Sequence, residues 1–278
     1  MLKKSYWLIA AFLILLVGGI IVKTNNINDL GLSFLQWIKK MKGAEVDLSI
    51  LQKEETKVIA HDFWEELLVG LVTPEGAVNY EGFIADKAVL QEYLDLLSTH
   101  PPAKNWTEAE QIAYWINAYN AFTVKLIIDN YPLNSIKDIA DGLPMINSPW
   151  DIKFFKIGGV DFDLNTIEHS ILRKHFDEPR IHFAINCASV SCPKLRNEAF
   201  TSEKLEQQLS AQANYFVNSP IKNRITEKEI ALSPIFNWFE SDFTKKGNLL
   251  SFIQAYTEVE LSAKIPLVYL DYDWNLNE

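Results

Sequence analysis

Cysteine is nearly absent: Cys187 and Cys192 are the only two in 278 residues. That excludes a small disulfide-stapled scaffold. Positive charge is also scarce, with 26 Lys and Arg against 36 Asp and Glu and a formal net charge of -10. Three of those lysines (Lys3, Lys4, Lys23) flank an apolar leader, so the remainder carries 23 basic against 36 acidic residues. A body of that sign repels phosphate backbones, and no nucleic-acid partner is expected. Lys153 and Lys156, and Lys245 and Lys246, lie close in sequence but form no basic stripe. Internal repeats and low-complexity segments are missing as well. What is abundant is apolar: 48% hydrophobic residues, with 8 Trp, 10 Tyr and 16 Phe. That is ample for a large core and excludes global disorder.

No charge interrupts Tyr6–Val22, YWLIAAFLILLVGGIIV. A helix of 17 residues spans about 26 Å at about 1.5 Å per residue, near the lower limit for a bilayer. The following residues, KTNN, offer neither a small-x-small cleavage site nor a lipoprotein cysteine. Residues 1–23 therefore read as an uncleaved transmembrane signal anchor, with the lipid membrane as partner of Tyr6–Val22. Lysines lie on both sides of the run, so the positive-inside rule is ambiguous. The short charged N-terminus favours a single-pass protein whose globular domain is extracytoplasmic. Residues 24–60 read as a linker and an amphipathic segment. In it Leu32, Leu35, Ile38 and Met41 keep helical spacing, for packing or for lying on the membrane surface. Residues 61–278 read as the globular domain.

Within that domain helical periodicity dominates. Val58–Val72, Asp86–Leu97, Ser202–Val217, Ile235–Phe243 and Leu249–Tyr256 are expected as helices. The clearest helix is Glu108–Asn130, with acidic residues in its first turn and Pro132 beyond its end. Its stripe Ala109, Ile112, Ala113, Ile116, Val124, Ile127, Ile128 is joined by a second face of Trp115, Tyr119 and Phe122, so core should surround it. Phe154–Phe162 reads as a hairpin about Gly158-Gly159. Ile181–Ile185 reads as a buried strand, and Ile225–Leu232 and Leu267–Tyr272 as further strand pieces. The class is α+β, mostly helical with a small mixed or antiparallel sheet.

Leu164–Phe176 is expected as an amphipathic helix with the stripe Leu164, Ile167, Ile171, Leu172. Glu168 then points to the buried side, where a lone carboxylate is costly and needs a partner. His169 stands at the edge of the stripe, and Arg173 is within reach as that partner. A purely structural contact is the plainer alternative. Cys187 leaves the apolar run in RIHFAINCASVSCP, on a loop beside a rigid element. A thiol there becomes nucleophilic if an imidazole favours the thiolate. The candidates are His61, His100, His169, His175 and His182. Glu168 and His169, as neighbours on an α-helix, diverge by about 100°, so Glu168 is placed behind the site. Simple packing of both cysteines, a small disulfide between them, or a zinc site with His169, His175 and His182 remain open, although the spacings match no standard zinc pattern. Asn117 and Asn120 interrupt the apolar helix. Each needs buried hydrogen-bond partners, either structural or at a site.

The segments YWINAYNAF, IEHSILR, RIHFAINCASVSCPKLR, NWFESDF and DYDWNLN, in this order, resemble the DUF547 family from roughly Asp86 to the C-terminus. The resemblance implies a core related to papain-like cysteine peptidases. It carries Cys187 onto the nucleophile, His169 onto the base and Glu168 onto the supporting acid, with Asn117 and Asn120 as secondary candidates; Arg173, from its spacing to Glu168, joins them as a supporting or substrate-binding residue. The expected function is a membrane-anchored thiol hydrolase or acyl-transfer enzyme acting on an amide or peptide. No metal and no cofactor are expected. The alternative is a non-catalytic membrane-tethered binding or assembly domain, holding a small-molecule or peptide ligand.

Overall fold

The computed structural model describes residues 55–139 and 148–278. Tyr6–Val22 and Leu30–Lys42 lie outside the described residues. Among those described, no helix is long and apolar enough to cross a membrane.

The chain begins its described part with helices α1 (Asp62–Leu71), α2 (Tyr80–Ala85), α3 (Lys87–Thr99) and α4 (Glu108–Asn130). Thr107 caps α4: its hydroxyl takes the Glu110 N–H at 3.3 Å, and the Glu110 carboxylate takes the Thr107 N–H at 2.6 Å. This reciprocal box satisfies two donors that a helix start leaves orphaned. Every residue from Ile112 to Val124 is buried, the outcome expected of a helix apolar on nearly all sides. It packs against α2, α3 and the segment that carries Glu168. Trp64 of α1 stacks on Tyr93 of α3 with centroids 5.8 Å apart.

His61, just before α1, bonds the Tyr93 hydroxyl through Nδ1 at 2.7 Å. Burial pulls its pKa from 6.5 down to about 4. The unfolded chain binds this proton more readily than the native one, so stability is complete above about pH 6.5 and falls as pH drops towards 4. We expect a loss of about 2–3 kcal/mol over that window. Urea midpoints at pH 7 and pH 4.5 measure it, and His61→Gln should flatten the difference. An equally steep fall in that variant would rule out His61 as the source.

Strands β1 (Phe155–Ile157) and β2 (Val160–Phe162) form the expected antiparallel hairpin. Gly158 and Gly159, at φ 60° and 85°, make its turn, the left-handed pair that a two-residue hairpin loop needs. After α5 (Arg173–His175) come α6 (Leu205–Asn218), β3 (Arg224–Ile225), β4 (Ile230–Leu232), α7 (Ile235–Trp238), α8 (Glu240–Phe243), α9 (Leu249–Gln254) and β5 (Leu267–Tyr269). The second sheet runs β3-β4-β5, antiparallel then parallel. Phe183, Phe216, Phe236, Phe243, Leu232 and Ile253 form the core beneath it. The fold is thus α+β and mostly helical, with small sheets.

Two expectations fail in an informative way. Ile181–Ile185 is not a strand: Pro179–Phe183 is a tight 3-10 turn, begun by Pro179 and capped by Glu178, whose carboxylate takes the Arg180 N–H at 3.0 Å. Residues Ile181 through Asn186 are all buried. A short continuous apolar run does not distinguish a buried strand from a buried helical turn. Secondly, Leu164–Phe176 is not α-helical throughout. Thr166–Leu172 is a π-turn in which the Arg173 N–H reaches back five residues to Glu168 O. Such wide turns are rare and concentrate at functional sites.

Candidate functional site

Glu168 and His169, neighbours on the wide turn, both line one cleft, together with Cys187, Cys192 and His182. The cleft has a volume of about 190 Å³. Its other walls are aromatic: Tyr119 of α4, Trp150, Trp238 of α7, Phe239, Tyr272 and Trp274. Trp238, Tyr272 and Trp274 pack on one another at 4.4–6.0 Å, and Trp238 keeps 47% of its surface exposed.

The Cys187 loop is held from three sides. Asn120, buried in α4, donates to Ala184 O at 3.0 Å and accepts the Asn186 N–H at 2.8 Å. Asn186 in turn donates to Pro193 O at 2.7 Å and accepts the Ala188 N–H at 2.9 Å. That last bond supports Ala188 at φ 56°, a left-handed conformation that a non-glycine residue adopts at a cost. The C-terminal tail closes the third side, with Val190 and Ser191 donating to Asn275 O and Asp273 O at 2.8 and 3.1 Å. It thereby delivers the Tyr272 hydroxyl to the Cys187 sulfur at 3.2 Å. Ser189 Oγ is 3.3 Å from the same sulfur.

Burial by itself pushes the Cys187 thiol up. Interactions with Cys192, Ser189 and Tyr272 outweigh that and leave its pKa below the ordinary thiol value, while the Glu168 charge opposes them. Cys192 goes the other way, driven well up by burial and by Cys187. Both thiols are free. Replacing Tyr272 with Phe removes one donor to the thiolate. The Cys187 pKa should rise, and alkylation at pH 7 should slow by about 3–10-fold; unchanged kinetics would remove Tyr272 from the site.

Glu168 is buried and takes a hydrogen bond from the Tyr119 hydroxyl at 3.3 Å. It does not pair with Arg173, as the sequence led us to expect. Asp242 of α8 captures Arg173 instead, accepting from Nε at 2.6 Å, and also bonds His182 Nε2 at 2.8 Å. Arg173 then reaches His169 Nδ1 at 2.9 Å. A guanidinium only donates, so Nδ1 accepts and the neutral ring carries its proton on Nε2. Among the described residues the Cys187 sulfur has the hydroxyls of Ser189 and Tyr272 as hydrogen-bond partners. His182 is buried and stacked on Phe239 at 4.0 Å, and its Nδ1 has no hydrogen-bond partner.

The structure therefore brings Cys187, His169 and Glu168 to one cleft and leaves Asn117 out of its lining. Asn117 binds Phe200 through both backbone groups, at 2.7 and 3.0 Å. Asn120 and Arg173 act one layer behind, on the cysteine loop and on His169. Among the described residues no group of three His, Cys, Asp or Glu is arranged to hold a metal ion. Sequence reasoning missed Tyr272, Asp242, Tyr119 and the aromatic wall. NWFESDF and DYDWNLN, quoted for the resemblance, marked the segments that supply most of them, and YWINAYNAF holds Tyr119.

Residues 103–217 match a family model described as "Protein of unknown function, DUF547". Over that stretch the chain is similar to the DUF547 family. No curated protein and no solved structure matches the chain significantly. The matched segment holds Asn117, Asn120, Glu168, His169, Arg173 and Cys187, whereas Tyr272, which lines the cleft, and Asp242, which holds Arg173 and His182 behind it, lie beyond that segment.

Proposed function

We propose that this DUF547-like domain is a thiol-dependent acyl hydrolase or acyl-transferase for an amide or peptide, anchored to a membrane by Tyr6–Val22. The observation that carries this reading is the Cys187 thiol, partly exposed in an aromatic cleft and hydrogen-bonded by Tyr272 and Ser189. Donors aimed at a sulfur favour its thiolate, the form that attacks a carbonyl. Attack forms the Cys187 sulfur–carbon bond. The amide carbon–nitrogen bond breaks, the amine leaves with a proton, and water or a second amine then takes the acyl group. His169 and Glu168 are the groups in the cleft wall suited to handling that proton. His169 presents an Nε2–H donor while Arg173 holds Nδ1. Transfer of the thiol proton to Glu168 would also remove the charge that opposes the thiolate. The cysteine-peptidase-like core implied by the resemblance belongs to this proposal.

A chromogenic activated ester tests the reading with the full-length chain. The expected result is a burst of leaving group equal to one acyl group per chain, with the acyl group on Cys187 and no burst in Cys187→Ser. A burst that survives Cys187→Ser would end the proposal. Iodoacetamide should also label Cys187 faster than Cys192, with an apparent pKa below the unperturbed ~8.5. Membrane anchoring predicts that the full chain stays with membranes after alkaline washing and that removal of residues 1–23 releases it.

A second reading, a tethered binding domain without turnover, draws on the hydroxyls of Ser189 and Tyr272 that hold the thiol in an aromatic cleft. It expects ligand binding to survive in Cys187→Ser and no acyl burst in the native chain.

A further inference from the structure

Acyl transfer needs one thiol, and the loop presents two. The segment from Asn186 to Pro193 is closed at its base by the Asn186 side chain on Pro193 O at 2.7 Å. That bond sets the two legs of the loop side by side. Cys187 and Cys192 are the next residues inward, one on each leg. The Cys187 N–H donates to Cys192 Sγ at 2.7 Å. Both thiols are free and both line the cleft. Their exposure differs: Cys187 is partly open, and Cys192 keeps only 3% of its surface.

From this geometry we propose that Cys187 and Cys192 form a reactive dithiol that reduces disulfides presented in the aromatic cleft, with Cys187 attacking and Cys192 resolving. This activity goes beyond acyl transfer and does not depend on it. The Cys187 thiolate attacks one sulfur of a substrate disulfide. A mixed disulfide forms on Cys187, and the first substrate thiolate leaves and takes up a proton. Cys192 then gives its proton to solvent, and its thiolate attacks the Cys187 sulfur. The Cys187–Cys192 disulfide forms and the second substrate thiolate departs. Two electrons pass from the pair to the substrate, which ends as two thiols.

Several features favour this order. The clamp at the base of the loop has already met the entropic cost of bringing the legs together. Cys187, the partly open residue, is the one whose thiolate Tyr272 and Ser189 stabilise, whereas the buried Cys192 stays protonated until a mixed disulfide forms next to it. Trp238, Tyr272 and Trp274 offer apolar surface to the arms of a small-molecule or peptide disulfide.

Glutathione disulfide is the probe, added to the reduced full-length chain and followed by intact mass and peptide mapping after acid quenching. The wild type should release two equivalents of glutathione thiol and yield a Cys187–Cys192 linked peptide. Cys192→Ser should stop with one glutathione on Cys187. Cys187→Ser should react at least ~10-fold more slowly. In the wild type, early quench points should show the Cys187 adduct before the internal disulfide, a readout that needs no variant. A stable glutathione adduct with no internal disulfide would overturn the proposal, and so would equal reactivity of both thiols. These readouts are separate from the ester burst, so either activity can fail alone.

Discussion

Asp242→Ala is expected to destabilise the domain by roughly 3 kcal/mol, the lower part of the range for breaking a buried ion pair, because Asp242 retains slight exposure. Its Oδ2 serves two donors, Arg173 Nε at 2.6 Å and His182 Nε2 at 2.8 Å. The Asp242 and His182 side chains are 11% and 1% exposed, so water replaces the lost acceptor poorly. His182 Nδ1 already lacks a partner, and the variant would leave both ring nitrogens unsatisfied. Burial raises the Asp242 pKa, but His182 and Arg173 overcome this and hold the carboxyl far below the ordinary range. A depressed folded pKa gives stability that is complete above the unfolded value of about 4 and lost as pH falls below it. The gap between wild type and variant in urea melts should therefore be full at pH 7 and shrink below about pH 4. A gap independent of pH would mean that Asp242 acts through packing. Asp242 also anchors the guanidinium that fixes the His169 tautomer. Nitrogen NMR of His169 should show the Nε2–H form in the wild type and tautomer exchange in the variant.

Asn120→Ala should cost a comparable amount, about 2–5 kcal/mol, because it orphans the Asn186 N–H and the Ala184 C=O inside the protein. Asn120 itself is 2% exposed. The loss falls at the root of the Cys187 loop, so the variant should also lose the contrast between its thiols: Cys192 becomes alkylated at a rate approaching that of Cys187. Asn117→Ala is the control. It breaks two equally buried bonds, to Phe200, and should cost similar stability while leaving the thiol contrast intact. If both variants blur the thiols alike, the loop is not held by Asn120 in particular. Asn120→Asp keeps an acceptor for Asn186 but sets oxygen against Ala184 O, so it should restore only part of the stability.

These two asparagines show how far the sequence reached. Two polar residues in an otherwise apolar helix had to find buried partners, and they did. Nothing in their spacing said that one would hold Phe200 and the other the cysteine loop. Cys187, His169 and Glu168 were legible because the resemblance marked them and because a loop cysteine next to an apolar run is conspicuous. Their roles were less legible. An α-helical reading turned Glu168 away from His169 by about 100° and placed it behind the site, whereas both residues line the cleft. Arg173 looked like a partner for Glu168 because the two are near in sequence, yet a carboxylate 69 residues away took it.

Composition, charge and periodicity by themselves determined that this chain has a large apolar core and mostly helical elements, with an acidic body and a hairpin about Gly158-Gly159. Each of these follows from local propensity or from summed burial and charge. Tertiary structure alone decided which donors surround the thiol. Tyr272 lies 85 residues from Cys187, and the C-terminal tail places its hydroxyl by backbone bonds to Val190 and Ser191 that carry no side-chain signature. Hydrogen bonding acts over about 3 Å in space whatever the separation along the chain, so the acidity of Cys187 is a property of the folded cleft and not of its neighbours in sequence.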